Sequence, residues 1–232
     1  QAYSQEVTAD HRMPYLEDGV FKVKTAADLP ASARLPTAGY YTGFRNVDEC
    51  LIRLLAAFQA DGFFDYKYRT GWHLKKERKI KRLLWLLEQA GITPNIQQGA
   101  TTRIFTYWRP EAWMKTPGPW MLDLTGEALD WWLDELRFWD GHEGATGAVH
   151  ISTSSAVTAE WINTLAQLRG KGSRCYVHTP ASETRKASWH VSLNQRTNAT
   201  KSSMDVTERA LEKDTPVYCP STSTGFFLVR RN

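Results

Sequence analysis

Cysteine and long apolar runs are both scarce in this chain of 232 residues. The three cysteines, Cys50, Cys175 and Cys219, are odd in number and lack metal-ligand spacing, so neither a disulfide framework nor a zinc site is indicated. No apolar run reaches the roughly 18 residues of a membrane-spanning helix, and no signal peptide opens the chain. We therefore expect an intracellular, cytoplasmic protein without a membrane partner. Because the chain starts at Gln1 and not at Met, it is expected to be a processed or excised piece.

Positive charge is mild overall but strongly localised. The formal net charge is +4, which by itself indicates no particular partner. Between positions 67 and 82, however, eight basic residues accompany a single acid, Glu77. Such crowding is typical of a surface that binds a polyanion. The basic residues are Lys67, Arg69, Lys75, Lys76, Arg78, Lys79, Lys81 and Arg82.

Two apolar, helix-like segments of similar length end in Asp-Gly. They cover residues 46–62 and 125–141. Asn46 and Thr125 are the predicted N-caps, and Glu49, three residues after Asn46, completes a capping box. Each segment therefore predicts one helix that ends at its aspartate.

The two aspartates, Asp61 and Asp140, each lie 15 positions after the predicted cap. The helix macrodipole disfavours negative charge at a helix C-terminus. One such acid carries little information, but a repeated one predicts that two carboxylates come together to hold a cation. The pattern thus points to metal-dependent cleavage of phosphodiester bonds. The alternative is that Asp-Gly merely marks a helix end, with glycine as the C′ residue.

The 79 positions that separate the two aspartates predict an internal repeat. In each half, strands follow the Asp-Gly pair, a helix then ends at a glycine 30 residues after the aspartate, and two more strands come next. Each half reads helix–strand–strand–helix–strand–strand, in an α+β fold. The predicted elements are strands 63–74, 95–98, 103–108, 148–153, 174–178 and 188–194, a helix over 77–90, and a helix capped at Thr158 that runs to position 168.

The two ends of the chain lie outside this repeat. We predict a first half over residues 45–124 and a second half over residues 125–209. Residues 1–44 look like short strands and turns, and residues 210–232 contain a hairpin.

Two segments resemble the LAGLIDADG motif of homing endonucleases. Residues 54–62 resemble it clearly, and residues 133–141 look like a degenerate second copy. The resemblance covers residues 45–209 and implies a pseudo-twofold, duplicated αββαββ fold in one chain. Glu135 and Trp139 replace small residues of the motif, so a symmetrical helix interface is not expected. The matching residues are Leu54, Ala60, Asp61 and Gly62 in the first copy, and Leu133, Leu136, Asp140 and Gly141 in the second.

Both chain ends resemble segments of inteins. Thr8 and His11 match a Thr-x-x-His motif, and residues 215–232 are similar to the segment near the C-terminal splice junction. The resemblance implies a small all-β, Hint-like domain formed by the two ends, in which His11 polarises the upstream splice junction and Thr8 supports it. It also implies an origin in a bacterial or phage-infected cell. The nucleophile segment and the terminal His-Asn are absent, so splicing would require a complementary intein fragment.

The endonuclease resemblance implies a role for several further residues. Asp61 and Asp140 would bind Mg²⁺, which prefers hard oxygen ligands. Lys201, chosen by its order along the chain, would assist the water or the developing negative charge. The sheets of a monomer would bind double-stranded DNA in the major groove, at a long and non-palindromic site. The basic residues within 76–82 are expected to be mostly solvated. The DNA-binding candidates are Lys67, Arg69, His73, Lys75, Arg103, Arg109, His150, Arg185, His190 and Gln195.

Three functions stay open at this point. The first is a metal-dependent, site-specific double-strand DNA homing endonuclease. The second is a catalytically inactive DNA- or RNA-binding protein on the same scaffold, and the third is part of a split intein acting in protein splicing. The presence of both aspartates favours the first.

Overall fold

The computed structural model describes residues 7–67, 69–144, 147–194, 198–200 and 210. These residues form α-helices and antiparallel β-sheets, and none of their helices has the length and apolarity needed to cross a bilayer. The helices are α1 (Glu49–Asp61), α2 (Glu77–Gln89), α3 (Gly126–Trp139) and α4 (Ala156–Leu168), with two 3-10 helices at Ala112–Lys115 and Pro119–Asp123. The strands are β1 (Arg12–Glu17), β2 (Val20–Thr25), β3 (Arg34–Pro36), β4 (Gly62–Phe64), β5 (Thr70–Leu74), β6 (Asn95–Gln97), β7 (Thr102–Thr106), β8 (Gly141–Glu143), β9 (Val149–Thr153), β10 (Gly172–Thr179), β11 (Ser188–Asn194) and β12 (Asn198–Thr200).

The same order of elements occurs twice between α1 and β11. A helix, two strands, a helix and two strands run from α1 to β7, and the order repeats from α3 to β11. The first set forms a sheet of order β4-β5-β7-β6, and the second forms a sheet of order β10-β11-β9-β8. In both sets, the strand that follows the first helix is an edge strand. Each sheet therefore begins directly at the end of a helix that carries one of the two aspartates.

Each of these sheets has one face buried against helices and one open face. Successive side chains of a strand point to opposite faces, so the apolar and polar residues separate. Trp72 and Ile104 of the first sheet and Ile151 and Val191 of the second are almost wholly buried in one continuous core that all four helices share. The polar residues between them are left on the open faces.

Helices α1 and α3 pack against each other at the centre of this core. The buried part of α1 includes two small residues, Ala56 and Ala57, whereas α3 contributes the large side chains of Trp132 and Trp139. Gln59 of α1 accepts a hydrogen bond from Trp132 Nε1 at 2.7 Å. The two helices are thus complementary in size and unlike each other in sequence, as the second, degenerate motif predicts.

A buried carboxylate lies in this helix interface. The side chain of Glu135 in α3 is 0% exposed. It accepts hydrogen bonds from Arg82 Nε of α2 at 2.9 Å and from Trp139 Nε1 at 3.0 Å, and it forms ion pairs with Arg82 and with Arg53 of α1. Burying an unpaired carboxylate is costly, so these partners make the polar residue tolerable at a position inside the core. Glu135 joins three helices through charge.

The remaining described strands form a third, smaller sheet of order β12-β3-β1-β2. It has its own small core of Met13, Tyr15, Leu29, Ala33 and Leu35. Strand β12 pairs with β3, so residues 198–200 join this N-terminal sheet and not the sheet of β8 to β11. The predicted Hint-like domain is not established, because residues 211–232 lie outside the described part of the chain.

Three predicted boundaries are wrong, each for a local reason. Helix α1 is capped by Asp48 and not Asn46, because the Asp48 carboxylate accepts hydrogen bonds from two main-chain amides at 2.9 and 3.2 Å. Helix α4 is capped by Ser155, whose hydroxyl accepts from the amide of Thr158 at 3.2 Å. The predicted strand 63–74 is a hairpin of two strands.

We predict that Glu135→Ala destabilises the fold strongly, because Arg53 and Arg82 lose a shared buried partner. The expected loss in the free energy of unfolding is about 3–5 kcal/mol, measured by urea denaturation. The matched control is Asp134→Ala, on the same helix as Glu135. It removes only an exposed ion pair with Lys171 and should cost less than about 1 kcal/mol. Equal losses in the two variants would contradict the structural role of Glu135.

Candidate active site

The two predicted aspartates lie where a helix passes into a sheet. Asp61 is the last residue of α1 and Asp140 is the C-cap of α3. Each is followed by a glycine that opens an edge strand. Gly62 has φ −79°, so it is not the left-handed C′ glycine of the simpler interpretation.

The glycines are needed for a close approach of the chain to the last helical turn. A Cβ atom at Gly62 would lie 2.5 Å from Cδ2 and 2.8 Å from Cα of Phe58. A Cβ atom at Gly141 would lie 2.7 Å from Cα of Arg137. Only glycine permits this turn, which leaves the preceding aspartate at the mouth between helix and strand.

A single lysine joins the two aspartates. Lys79 Nζ of α2 donates to Asp61 Oδ2 at 2.5 Å and to Asp140 Oδ1 at 3.1 Å. The two carboxylates therefore lie no farther apart than these two contacts together allow. The Lys79 side chain is 9% exposed, whereas those of Asp61 and Asp140 are 29% and 42% exposed. The acids converge at a place that solvent reaches.

The prediction that the basic residues within 76–82 are mostly solvated is wrong for two of them. Lys79 is buried, and Arg82 is half-buried in its ion pair with Glu135, whereas Arg78 is exposed while its guanidinium donates to main-chain carbonyls of α3. Lys79 lies four residues before Leu83 on the apolar stripe of α2, and the two are both buried. A lysine in register with such a stripe was the signal in the sequence for a buried partner of opposite charge.

Two cations cover the carbonyl ends of the helices that carry the aspartates. Lys115 Nζ donates to the carbonyl oxygens of Phe58 at 2.5 Å, Gln59 at 3.1 Å and Gly62 at 2.6 Å, at the end of α1. At the end of α3, the Arg78 guanidinium donates to the carbonyls of Phe138 and Trp139. Positive charge at a helix C-terminus is favourable. These contacts offset the unfavourable position of each aspartate.

Lys115 has an unusual acidity. Burial lowers the pKa of Lys115 to about 8, against the opposing influence of the nearby Asp61 and Asp140 carboxylates. Its ammonium is therefore close enough to both carboxylates to interact with them electrostatically. It loses its proton at a lower pH than an ordinary lysine does. Lys115 was not among the predicted site residues, since nothing in its sequence neighbourhood marks it.

The donor set suits a hard divalent cation. Two carboxylates meet at a partly exposed point, and Lys79 shows that this point holds positive charge. Within the described ranges, no group of three or more His, Cys, Asp or Glu residues could hold a metal ion. A cation here would take its other ligands from water or from the phosphate of a substrate, as Mg²⁺ commonly does.

The open face of the first sheet is aromatic and basic. The rings of Phe63, His73 and Phe105 lie 4.8 to 6.4 Å apart, and the Arg69 guanidinium lies 4.4 Å above Phe105 while it pairs with Asp65. His73 and Arg103 are direct cross-strand partners, so they share this face. Of the other candidates, Lys67 and Lys75 are exposed next to β5, and Arg109 lies 5.0 Å above Phe64.

The open face of the second sheet is rich in histidine. The DNA-binding candidates His150 and His190 lie on it, with ring centroids 5.3 Å apart. His142 and His178, which the sequence analysis did not select, lie beside them. Arg185 is exposed in the loop between β10 and β11.

Four predicted site residues remain, and the structure describes two of them. Lys201 and Gln195 lie outside the described residues. Thr8 and His11 lie in the turn that leads into β1, where the His11 amide donates to the Thr8 carbonyl at 3.1 Å. The Thr8 hydroxyl bonds Asp10, and that bond lowers the pKa of Asp10.

Comparison with known proteins finds similarity only among solved structures. No protein-family model and no curated protein matches the sequence. A variant of the homing endonuclease I-DmoI, in complex with its target DNA in the presence of Mg, is 13% identical with a TM-score of 0.46, covering 63% of this chain and 89% of that one. The N-terminal LAGLIDADG domain of DUF199/WhiA is 14% identical with a TM-score of 0.44, covering 62% and 74%. Full-length DUF199/WhiA from Thermatoga maritima is 12% identical with a TM-score of 0.44, covering 62% and 50%.

With TM-scores below 0.5, these similarities do not establish a shared activity. The function is therefore argued from the site itself.

We predict that Lys115 reacts with an acylating reagent at a lower pH than an exposed lysine does. Because its pKa is about 8, the neutral amine is half populated there, whereas an ordinary lysine requires about pH 10.4. Mass spectrometry after brief acylation across this pH range measures both midpoints, with exposed Lys67 as the internal control. Equal midpoints for the two lysines would show that Lys115 is not desolvated.

Proposed function

We propose that this chain is a metal-dependent, site-specific double-strand DNA endonuclease with a duplicated αββαββ architecture of the LAGLIDADG type. One observation carries the proposal, namely that Asp61 and Asp140, which lie 79 positions apart, meet on the ammonium of Lys79. Two carboxylates that converge at a partly exposed helix–strand junction suit phosphodiester hydrolysis. The flanking open sheet faces suit a nucleic acid.

Asp61 and Asp140 would hold the divalent cation, Mg²⁺ in the first instance. Such a cation activates the attacking water and stabilises the leaving oxygen of a phosphodiester. The carboxylates supply hard oxygen ligands. They sit at helix C-termini, where the negative end of the macrodipole adds to their charge. That residual negative charge favours a cation over an empty site.

Lys79 keeps the two acids together before substrate arrives. Like charges at short range repel, and the ammonium between them removes most of that repulsion. If a cation took its place, Lys79 would still lie near the carboxylates and could donate to a phosphate oxygen. It thereby positions the acids in one state and stabilises negative charge in the other.

Lys115 supplies positive charge behind Asp61. Its three carbonyl contacts orient the ammonium at the end of α1. Because its pKa is about 8, it can both carry charge and exchange a proton near the pH at which enzymes work. We assign to it the part of basic residue that the sequence analysis gave to Lys201.

The two open sheet faces would lie against the two halves of a DNA site. Phe63, His73 and Phe105 mark one face, and His150 and His190 mark the other. Because unlike faces contact the two half-sites, the target is expected to be non-palindromic. Both acids come from one chain, so the protein would act as a monomer. Its proposed place of action is inside a bacterial or phage-infected cell.

A catalytically inactive DNA-binding protein is the second candidate. The observation that favours it is the ion pair itself, because Lys79 already satisfies both acids without metal. The intein origin of the chain ends stays part of the proposal, and it rests on the sequences of Thr8 and His11 and of residues 215–232.

Cleavage of a DNA library of candidate insertion sites, with and without Mg²⁺, separates the two candidates. We expect metal-dependent double-strand cuts at one long site, abolished by Asp61→Asn and by Asp140→Asn. The matched control is Asp134→Asn, an exposed acid six residues before Asp140, which should cut normally. Specific binding without cutting in the unmodified chain would establish the inactive protein instead.

A further inference from the structure

Four of the six histidines of the chain lie on the open face of the second sheet. His142 and His150 are direct cross-strand partners on β8 and β9. His190 of β11 lies two residues from Ser192, the cross-strand partner of His150, so it shares their face. His178 of β10 has its ring 5.3 Å from the His190 ring. We call these four residues the imidazole face.

The imidazoles touch one another, and two of them have ring nitrogens without a hydrogen-bond partner among the described residues. Ring centroids lie 5.2 Å apart for His142 and His150 and 5.3 Å apart for His150 and His190. Nδ1 of His150 and both ring nitrogens of His190 are shielded from solvent and have no hydrogen-bond partner within the described part of the chain. Polar atoms left unpaired in this way are costly, so turning these rings toward an incoming ligand would relieve that cost.

The groups that surround the imidazole face are neutral or positive. Tyr176 stacks on His190 at 5.5 Å, and Arg174 lies above Tyr176 on the same strand. Ser152 and Ser192 are the cross-strand neighbours of His190 and His150. Exposed Arg185 and Lys186 follow in the loop before β11. Helices α3 and α4 pack on the opposite, apolar face.

Two acids, Glu143 and Asp140, lie near the edge of the imidazole face. Glu143 pairs with Val149, which puts it on the side opposite to His142 and His150. Asp140 accepts the Ser152 amide through its main-chain oxygen, and its carboxylate binds Lys79. His142 is two residues from Asp140 and belongs to that edge, whereas His150, His178 and His190 lie farther along the face.

Among the described residues, the cluster is not arranged as a metal site. No three His, Cys, Asp or Glu side chains of the described residues are placed to bind a metal ion. Burial, and then the nearby charges of His150, His178 and His142, lower the pKa of His190. His190 therefore resists gaining a proton while nothing is bound to the face.

We propose that His150, His178 and His190 form a proton-dependent phosphate-binding surface, which holds the backbone of duplex DNA more tightly as the pH falls from about 7.5 to about 5.5. This inference rests on the proposed function, because it assigns the duplex to this sheet. Each imidazolium would donate to a phosphate oxygen, and the unpaired nitrogens of His150 and His190 gain partners.

Binding and protonation must favour each other equally. If protonated histidines bind phosphate, then bound phosphate raises the affinity of the same histidines for protons. Each new phosphate contact also releases counterions and changes the slope of log K against log salt by about −0.9. Three added charges therefore make that slope steeper by about 2–3 at low pH.

The test is fluorescence anisotropy of a short duplex of random sequence at about pH 7.5 and about pH 5.5, on either side of the ordinary histidine pKa of ~6.5. The unmodified protein is expected to bind at least about tenfold more tightly at the lower pH, with the steeper salt slope. The triple variant His150→Gln, His178→Gln, His190→Gln should lose this gain. His11→Gln, on a different sheet, should keep it.

A second readout protects the test if the triple variant folds poorly. In the unmodified protein, NMR titration of the imidazoles with and without the duplex should show the pKa of His190 rising when DNA binds. The single change at exposed His178 should remove part of the affinity gain.

The outcomes separate this inference from the proposed function. Duplex binding at both pH values with equal affinity and equal salt slope would overturn the proton-dependent surface and leave the endonuclease proposal standing. No duplex binding at either pH would overturn both. A gain at low pH that the triple variant retains would place the titrating groups elsewhere and overturn the inference.

Discussion

The packing of two helix C-termini side by side is the constraint on which the site depends. Each terminus carries the negative end of a macrodipole and an aspartate, so bringing α1 and α3 together concentrates negative charge. Lys79 between the carboxylates, Lys115 on the carbonyls of α1 and Arg78 on those of α3 offset it. The two aspartates can therefore lie close together because cationic side chains of the same chain surround them.

In the core, the buried carboxylate of Glu135 is likewise offset by cationic side chains. The degenerate motif has a carboxylate where the first helix has small residues, and this carboxylate pairs with Arg53 and Arg82. The charge ties α2 to the pair α1–α3, which also fixes where Lys79 projects. Specific orientation of three helices follows from an ion pair that apolar packing would not provide.

Much of this arrangement could be predicted from local signals. The two Asp-Gly ends placed Asp61 and Asp140 correctly at helix termini, and alternation of residues 188–194 gave β11 its exact bounds. Caps were less certain, because Asn46 and Asp48 are both good capping residues and only geometry chooses Asp48. The convergence of the acids was an inference from repetition, since no local pattern encodes a distance across the fold.

The basic residues could not be assigned by the same means. Lys79 and its solvated neighbours look alike in composition, and only the apolar stripe of α2 separates them. Lys115 reaches α1 from a 3-10 helix beyond β7, a contact between segments more than fifty positions apart. The imidazole face likewise arises from strand register, which joins residues from four separate strands.

A crystal of the protein grown with Mn²⁺, examined by anomalous difference density, tests the central claim most directly. The account predicts one strong peak in contact with both the Asp61 and Asp140 carboxylates, with the Lys79 ammonium displaced from between them. Carboxylates that lie apart, or a peak that contacts neither of them, would contradict it.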